Sequence, residues 1–295
     1  MNKSKIHEPK ISIIIPTYNG EATLRKCLGS VLNQNFKDYE VVIVNNNSND
    51  KTKNIILEFQ RIDNRIKYIF EPHKGRGKAR NAGIRESKGK IIVMTDSDCL
   101  VPKNWIKNII KPIISDKEDI VQGNEEDLIG NYWTKMQQKA NCRFFSERVY
   151  NTHYINHVDT KNFAIKKEVL EKVGFFDNTL KNFEDFDLKV RLKKKGYKIY
   201  FFKSLKVKHH HRDNFLSLVK RRFNQGYWIT KIYFKHKSFF NETEDEMVKS
   251  LQLTNFMLFF PWLFLVLLKK GISTFFFELI TGVAWRIGIF CALFI

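Results

Sequence analysis

Ile91-Ile92-Val93-Met94-Thr95-Asp96-Ser97-Asp98 is an apolar, strand-prone run that ends abruptly in two carboxylates one residue apart. A buried strand with that ending has a charge problem, because two close carboxylates at a sheet edge repel and lose hydration. A divalent cation resolves it. Oxygen ligands at this spacing suit Mg²⁺ or Mn²⁺, ions that keep several waters and take phosphate oxygens as further ligands. A lone D-x-D also serves simply to cap the next helix, so the choice rests on the neighbouring segments.

Working outward, Lys10 to Ile15 alternates into a β-branched run and breaks at Pro16-Thr17-Tyr18-Asn19-Gly20, which predicts strand, turn and a helix from about Glu21 to Leu32. A second apolar run, Tyr39 to Val44, ends in Asn45-Asn46-Asn47-Ser48-Asn49-Asp50 ahead of another helical segment. A third, Ile66 to Phe70, precedes Glu71-Pro72-His73-Lys74-Gly75-Arg76-Gly77-Lys78-Ala79-Arg80-Asn81-Ala82-Gly83. Strands alternating with helices predict a parallel sheet whose carboxyl edge gathers these turns into one ligand crevice. The glycines of the third turn permit close backbone approach, and Lys74, Arg76, Lys78 and Arg80 bring positive charge to the edge that carries Asp96 and Asp98. A diphosphate with a divalent ion satisfies both signs. A solvated basic loop is the plain alternative.

Taken as a set, these turns resemble the family 2 glycosyltransferases, which share the GT-A fold. Lys161-Asn162-Phe163-Ala164-Ile165, Val173-Gly174-Phe175-Phe176-Asp177 and Phe183-Glu184-Asp185-Phe186-Asp187-Leu188 extend the resemblance in the expected order, over roughly residues 10 to 230. It implies an α/β domain, a mostly parallel sheet flanked by helices. It also implies that Pro16, Thr17, Tyr18 and Asn19 of the first turn and Asn46 and Ser48 of the second hold the nucleotide, with Lys78, Arg80 and Asp96 beside its diphosphate. The implied donor is a nucleotide-sugar of UDP, GDP or dTDP type, with Mg or Mn held by Asp96 and Asp98. Where many relatives carry an aspartate this chain has Asn46, whose amide both accepts and donates, so the nucleobase stays open.

Glu184, Asp185 and Asp187 fall just before Leu188-Lys189-Val190-Arg191-Leu192, which reads as a helix whose N-terminal dipole favours acids. Capping accounts equally well for Glu184 and Asp187, and Asp187 is spaced to pair with Arg191 at i,i+4. The resemblance points to Asp185, with Glu184 beside it, as the base that takes the acceptor proton, and it implies inversion at the anomeric carbon. His209-His210-His211 follows a strand-like run from Lys198 to Val207. In several relatives a histidine after the base motif closes over the metal or diphosphate, so His209 and His211 join the candidate ligands. Solvated histidines in a basic region are the alternative.

The 51 Lys+Arg outnumber 31 Asp+Glu, a formal charge of +20. From Lys189 to Lys237 the only acid is Asp213, a pattern that suits an anionic membrane surface or nucleic acid. The uncharged stretch Leu251 to Leu268, followed by the apolar Ile272 to Ile295, favours the membrane and leaves no nucleic acid expected. Either stretch is near the roughly 20 apolar residues that span a bilayer. A crossing hairpin would put Lys269 and Lys270 outside, against the positive-inside tendency, whereas two helices lying in the interface avoid that conflict. A soluble dimerisation hairpin is the third reading.

The polar residues Met1 to Lys10 carry no secretory signal, and Cys27, Cys99, Cys142 and Cys291 lack metal or redox spacing, which fits a reducing cytoplasm. The expected organisation is a nucleotide-sugar half (1–115), an acceptor-binding and catalytic half (116–212), a basic amphipathic linker (213–250) and apolar membrane-associated helices (251–295). The expected activity is metal-dependent, inverting sugar transfer to a glycan or polyprenyl-linked acceptor at the cytoplasmic face of the cell membrane. A catalytically inactive GT-A-like protein that binds membrane or nucleic acid is the alternative, opposed by the retained Asp96, Asp98 and Asp185.

Overall fold

The computed structural model describes residues 10–150, 153–211, 214–242, 268 and 272–294. The expected absence of a signal in residues 1–9 and the apolar stretch 251–267 therefore lie outside the described residues. The chain divides into two compact units, Met1–Leu128 with Arg143–His210, and Ile129–Cys142 with His211–Ile295.

The first unit runs β1 (Ile11–Thr17), α1 (Leu24–Leu32), β2 (Tyr39–Asn45), α2 (Thr52–Ile62), β3 (Ile66–Phe70), α3 (Arg76–Glu86), β4 (Ile91–Met94), β5 (Cys99–Leu100), α4 (Trp105–Ile114) and β6 (Ile120–Asp127). Helix α5 (Tyr132–Arg148) contributes residues to both units. Then come β7 (Val149–Tyr150), β8 (Tyr154–Ile155), a 3₁₀ turn (Thr160–Asn162), β9 (Phe163–Lys166), α6 (Lys167–Val173), α7 (Glu184–Lys194) and β10 (Tyr200–His209). The sheet order is β3-β2-β1-β4-β9-β6-β10-β8-β7, with β5 paired to the end of β10.

The expected α/β sheet flanked by helices is present, parallel through its first four strands and mixed beyond them. Strand β1 lies between β2 and β4 with Ile11 opposite both Tyr39 and Ile91, so all three strands finish at one edge. Strand β9 is antiparallel to β4 and β6, whereas β10 is parallel to β6. Side chains alternate across these buried strands. Ile13, Ile15, Val41, Ile43 and Val93 join α1, α2 and α4 in one core, while Ile14, Val42, Val44, Ile92 and Met94 join α3, α6 and α7 in another. Both faces are covered, which is why the strands read as continuous apolar runs.

Helix α3 approaches the sheet through Gly83, where a Cβ would come 2.6 Å from Ile14 Cγ2 and 3.0 Å from Val44 Cγ2. The first helix begins at Leu24 rather than Glu21, because Thr23 and Leu24 donate their amides to Gly20 O and residues 21–23 form the turn.

The second unit contains α8 (Phe215–Lys235), capped where Asn214 accepts from Ser217 N at 2.9 Å, α9 (Lys237–Glu242) and α10 (Ile272–Phe294). Helices α8 and α10 meet at Gly226 and Gly288; a Cβ on either would fall on the backbone of the other helix, at Trp285 and Phe223. Opposite that contact α10 exposes Phe276, Ile287, Phe290 and Phe294. Its span Thr274–Phe294 is long and apolar enough to cross a bilayer by length and composition.

Candidate active site

The first two turns are stitched together at the carboxyl edge. Asn19 N donates to Ser48 Oγ at 2.9 Å, Asn19 Oδ1 accepts from Asn49 N at 3.0 Å, and Gly20 N reaches Thr52 Oγ1 at 2.8 Å. Asn19 (φ 51°) and Asn47 (φ 60°) take the left-handed conformation that Asn tolerates better than most residues. Pro16 and Thr17 end β1 opposite Val44 and Asn45, which places them beside the second turn. Tyr18 stands 49% exposed at this edge, with Lys74 Nζ 2.9 Å from its hydroxyl and 4.6 Å over its ring.

Asn46 braces the third turn. Its amide nitrogen donates to Glu71 O (3.2 Å) and His73 O (2.9 Å), and its oxygen accepts from Gly75 N (2.8 Å). These internal bonds account for an amide where an aspartate would supply no donor. Past Gly75 (φ 152°), Lys78 is half-buried, while Lys74 and Arg76 are exposed.

Arg80 is not part of that basic rim. It is 2% exposed, with Nη1 2.5 Å from Glu184 Oε1 and Nη2 2.9 Å from Asp96 Oδ1. The buried guanidinium therefore ties the D-x-D motif to the first turn of α7, and the two carboxylates outweigh its burial to hold its pKa above the usual arginine range. Glu184, itself 2% exposed, is held in this pair. Asn81 of α3 adds a second tie, accepting from Phe176 N at 2.9 Å and donating to Phe176 O at 2.7 Å.

Asp98 faces the end of β10. His209 sits between two acids, Nε2 3.5 Å from Asp98 Oδ2 and Nδ1 3.4 Å from Glu125 Oε2. Lys161 Nζ bridges Glu125 at 2.8 Å and Asp159 at 2.9 Å. Burial alone would raise the Asp98 carboxyl, but His209 and Lys161 outweigh it and hold it at about 2. Asp98 offers a hard oxygen donor beside an imidazole whose other nitrogen faces Glu125, the outer carboxylate partner that a ligating histidine needs. His210 is exposed, and His211 lies in the second unit with Nε2 3.1 Å from Gln138 Oε1.

Asp185 occupies the first turn of α7 behind Phe183, whose left-handed φ of 64° is strained for a residue with a Cβ. Burial, then the neighbouring Glu184 and Asp159 charges, push its carboxyl up to about 7 against Arg80 and the Phe186 amide. A base poised near neutrality is suited to take a proton from a hydroxyl. Asp187 has the bland role, an ion pair with Arg191 at 2.8 Å. Reading the sequence alone missed Glu125, Asp159 and Lys161, although Lys161 opens the motif that continues to Ile165.

The profile described as glycosyl transferase family 2 matches residues 12–174. Glycosyltransferase AglE of Haloferax volcanii is 31% identical over 230 residues, 74% of this chain and 72% of AglE. Glycosyltransferase GlyA of Streptococcus pneumoniae is 38% identical over 117 residues, 40% of this chain but only 17% of GlyA's length. Among solved structures, the mannosyltransferase PcManGT of Pyrobaculum calidifontis, in complex with GDP-Man and Mn²⁺, matches 98% of this chain and 86% of its own with a TM-score of 0.64 and 18% identity. S. aureus TarS 1–349 with UDP-GlcNAc matches 81% of this chain and 69% of its own with a TM-score of 0.62 and 18% identity. These structures share the GT-A fold with it. A profile match over more than half of the sequence shows that the chain belongs to glycosyl transferase family 2.

Proposed function

We propose that the chain moves a sugar from a UDP-, GDP- or dTDP-type nucleotide-sugar to a glycan or polyprenyl-linked acceptor, with inversion and with Mg or Mn. The observation that carries this reading is the buried Arg80 clamp, which joins Asp96 of the D-x-D motif to the turn bearing Asp185. Asp185 takes the acceptor proton as the hydroxyl oxygen bonds to the anomeric carbon, and the bond from that carbon to the diphosphate breaks on the far side. The configuration inverts. Lys74, Arg76 and Lys78 offset the charge of the departing nucleoside diphosphate. Asp96, Asp98 and His209 would hold the divalent ion, with His211 a further candidate; when bound, the ion neutralises diphosphate charge. Tyr18, Asn19 and Ser48 shape the nucleotide end of the crevice. The UDP-GlcNAc of TarS and the GDP-Man and Mn²⁺ of PcManGT support the donor class and the ion.

Incubation with UDP-, GDP- and dTDP-sugars, with Mn²⁺ and after chelation, tests this directly. Turnover of one nucleotide class that collapses on chelation is expected. No turnover of any donor favours the inactive scaffold.

The cytoplasmic membrane face is part of the same proposal, supported by the apolar span of α10 and the cations Lys220, Arg221 and Arg222 on α8. Reversing these three charges should weaken binding to anionic vesicles by on the order of 1 kcal/mol per residue, read by co-sedimentation. Full-length protein that ignores such vesicles would leave the dimerisation hairpin as the better reading.

A further inference from the structure

We infer that Glu125 and Lys161 are positioning residues that together hold His209 in the one orientation offering its Nε2 beside Asp98, which biases the ion site toward Mn²⁺ over Mg²⁺. The inference rests on the transferase reading above and narrows its choice of ion.

The strands fix where the imidazole stands. Along β10, Leu205, Val207 and His209 alternate onto one face, and the first two belong to the core shared with α1 and α4. A slip of one residue would turn His209 to the opposite face. Slippage is a real hazard here, because the pairing with β6 passes from Phe202 opposite Gly123 to Lys206 opposite Asn124 and leaves Lys203 to Leu205 over as a bulge. Asn162 locks the phase. Its amide nitrogen donates to Asn124 O at 2.8 Å and to Leu205 O at 2.9 Å, one on each strand, and its oxygen accepts from Trp105 Nε1 at 2.8 Å.

The residue before that asparagine sets the ring. Asp159 opens the 3₁₀ turn by accepting from Lys161 N at 3.1 Å, and its other oxygen takes Lys161 Nζ at 2.9 Å. The same ammonium reaches Glu125 Oε2 at 2.8 Å, the oxygen that faces His209 Nδ1 at 3.4 Å. Glu125 is 3% exposed and His209 9%. A buried carboxylate committed to an ammonium stays an outer partner of the imidazole, and it favours the tautomer that carries its proton on Nδ1. Nε2 then keeps its lone pair, 3.5 Å from Asp98 Oδ2.

That nitrogen discriminates between the two ions. Mg²⁺ dehydrates reluctantly and takes oxygen ligands, whereas a first-row transition ion such as Mn²⁺ gains more from an imidazole.

Mn²⁺ and Mg²⁺ titrations of the full-length protein saturated with UDP, GDP or dTDP, with pulsed EPR of the bound Mn²⁺, test the assignment. The parent should show nitrogen hyperfine coupling from an imidazole, lost in His209→Ala, and should bind Mn²⁺ at least about tenfold more tightly than Mg²⁺. Glu125→Gln should weaken Mn²⁺ binding by about ten- to a hundredfold, and weaken it more than Mg²⁺ binding. Lys161→Met separates positioning from charge. Removing a cation near the site would tighten both ions by Coulomb attraction alone, whereas releasing Glu125 from its place behind His209 should weaken Mn²⁺ by about tenfold. Metal-free nucleotide affinity, unchanged in each variant, reports an intact crevice.

Bound Mn²⁺ without nitrogen coupling in the parent, a result that needs no variant to fold, would overturn the inference. So would tighter Mn²⁺ binding in Lys161→Met, or parental Mn²⁺ affinity in Glu125→Gln. If none of the three nucleotides binds, the transferase reading falls and this inference falls with it. Nucleotide binding with Mn²⁺ that lacks a nitrogen ligand faults the inference alone.

Discussion

Asp185→Asn should lower turnover by about a hundred- to ten-thousand-fold while donor affinity survives, because the amide keeps the size of the carboxylate but cannot take the acceptor proton. The raised Asp185 carboxyl gives this result a second signature. With its pKa pushed up to about 7 by burial and by Glu184 and Asp159, kcat/KM of the parent protein should climb with pH through about 7. An ordinary aspartate would titrate near 3.9. The residual activity of Asp185→Asn should lack that limb. Stability has the opposite sign. The neutral, buried carboxyl favours the fold fully below about 4, and that contribution is lost as pH rises through about 7. Steady-state rates across pH, with donor affinity measured in parallel, check both. Should Glu184→Gln be the crippled variant and Asp185→Asn the active one, the base has been misassigned.

Arg80→Met should cost about 3–5 kcal/mol of stability, because it leaves Glu184 buried without its partner and frees Asp96 from the clamp. Surface ion pairs in the same unit, such as Arg25 with Glu58, are worth roughly 0–1 kcal/mol, so position in the core decides the magnitude. Urea unfolding should show a large fall in midpoint. Arg80→Met combined with Glu184→Gln should recover part of it, since the double variant strands no carboxylate there. A fall below about 1 kcal/mol in the single variant would contradict the clamp.

What the sequence disclosed and what it hid follow one division. The all-isoleucine core of β1, the break at Pro16 and the apolar run ending at Asp96 are local patterns, and buried strands with polar turns have few other readings. The Asp187–Arg191 pair was legible because four residues on a helix share a face. Arg80 read as one more cation in a glycine-rich basic segment. Its burial depends on Glu184, 104 positions away, and nothing local marks that partnership. Asn46 stood where a nucleobase contact was expected, but its amide is tied to a loop 25 to 29 residues on. Glu125 carries no local signal at all, and only the pairing of β6 with β10 brings it to His209. The convergence of turns could be read from periodicity; the wiring among them required the fold.

Titrating a nucleoside diphosphate into the parent protein and Asp98→Ala, each with and without Mn²⁺, tests the D-x-D assignment most directly. The parent should gain affinity from Mn²⁺, and Asp98→Ala should lose that gain while keeping most of its metal-free affinity. Equal stimulation by Mn²⁺ in both proteins would remove Asp98 from the ion site and contradict the metal-dependent mechanism built on it.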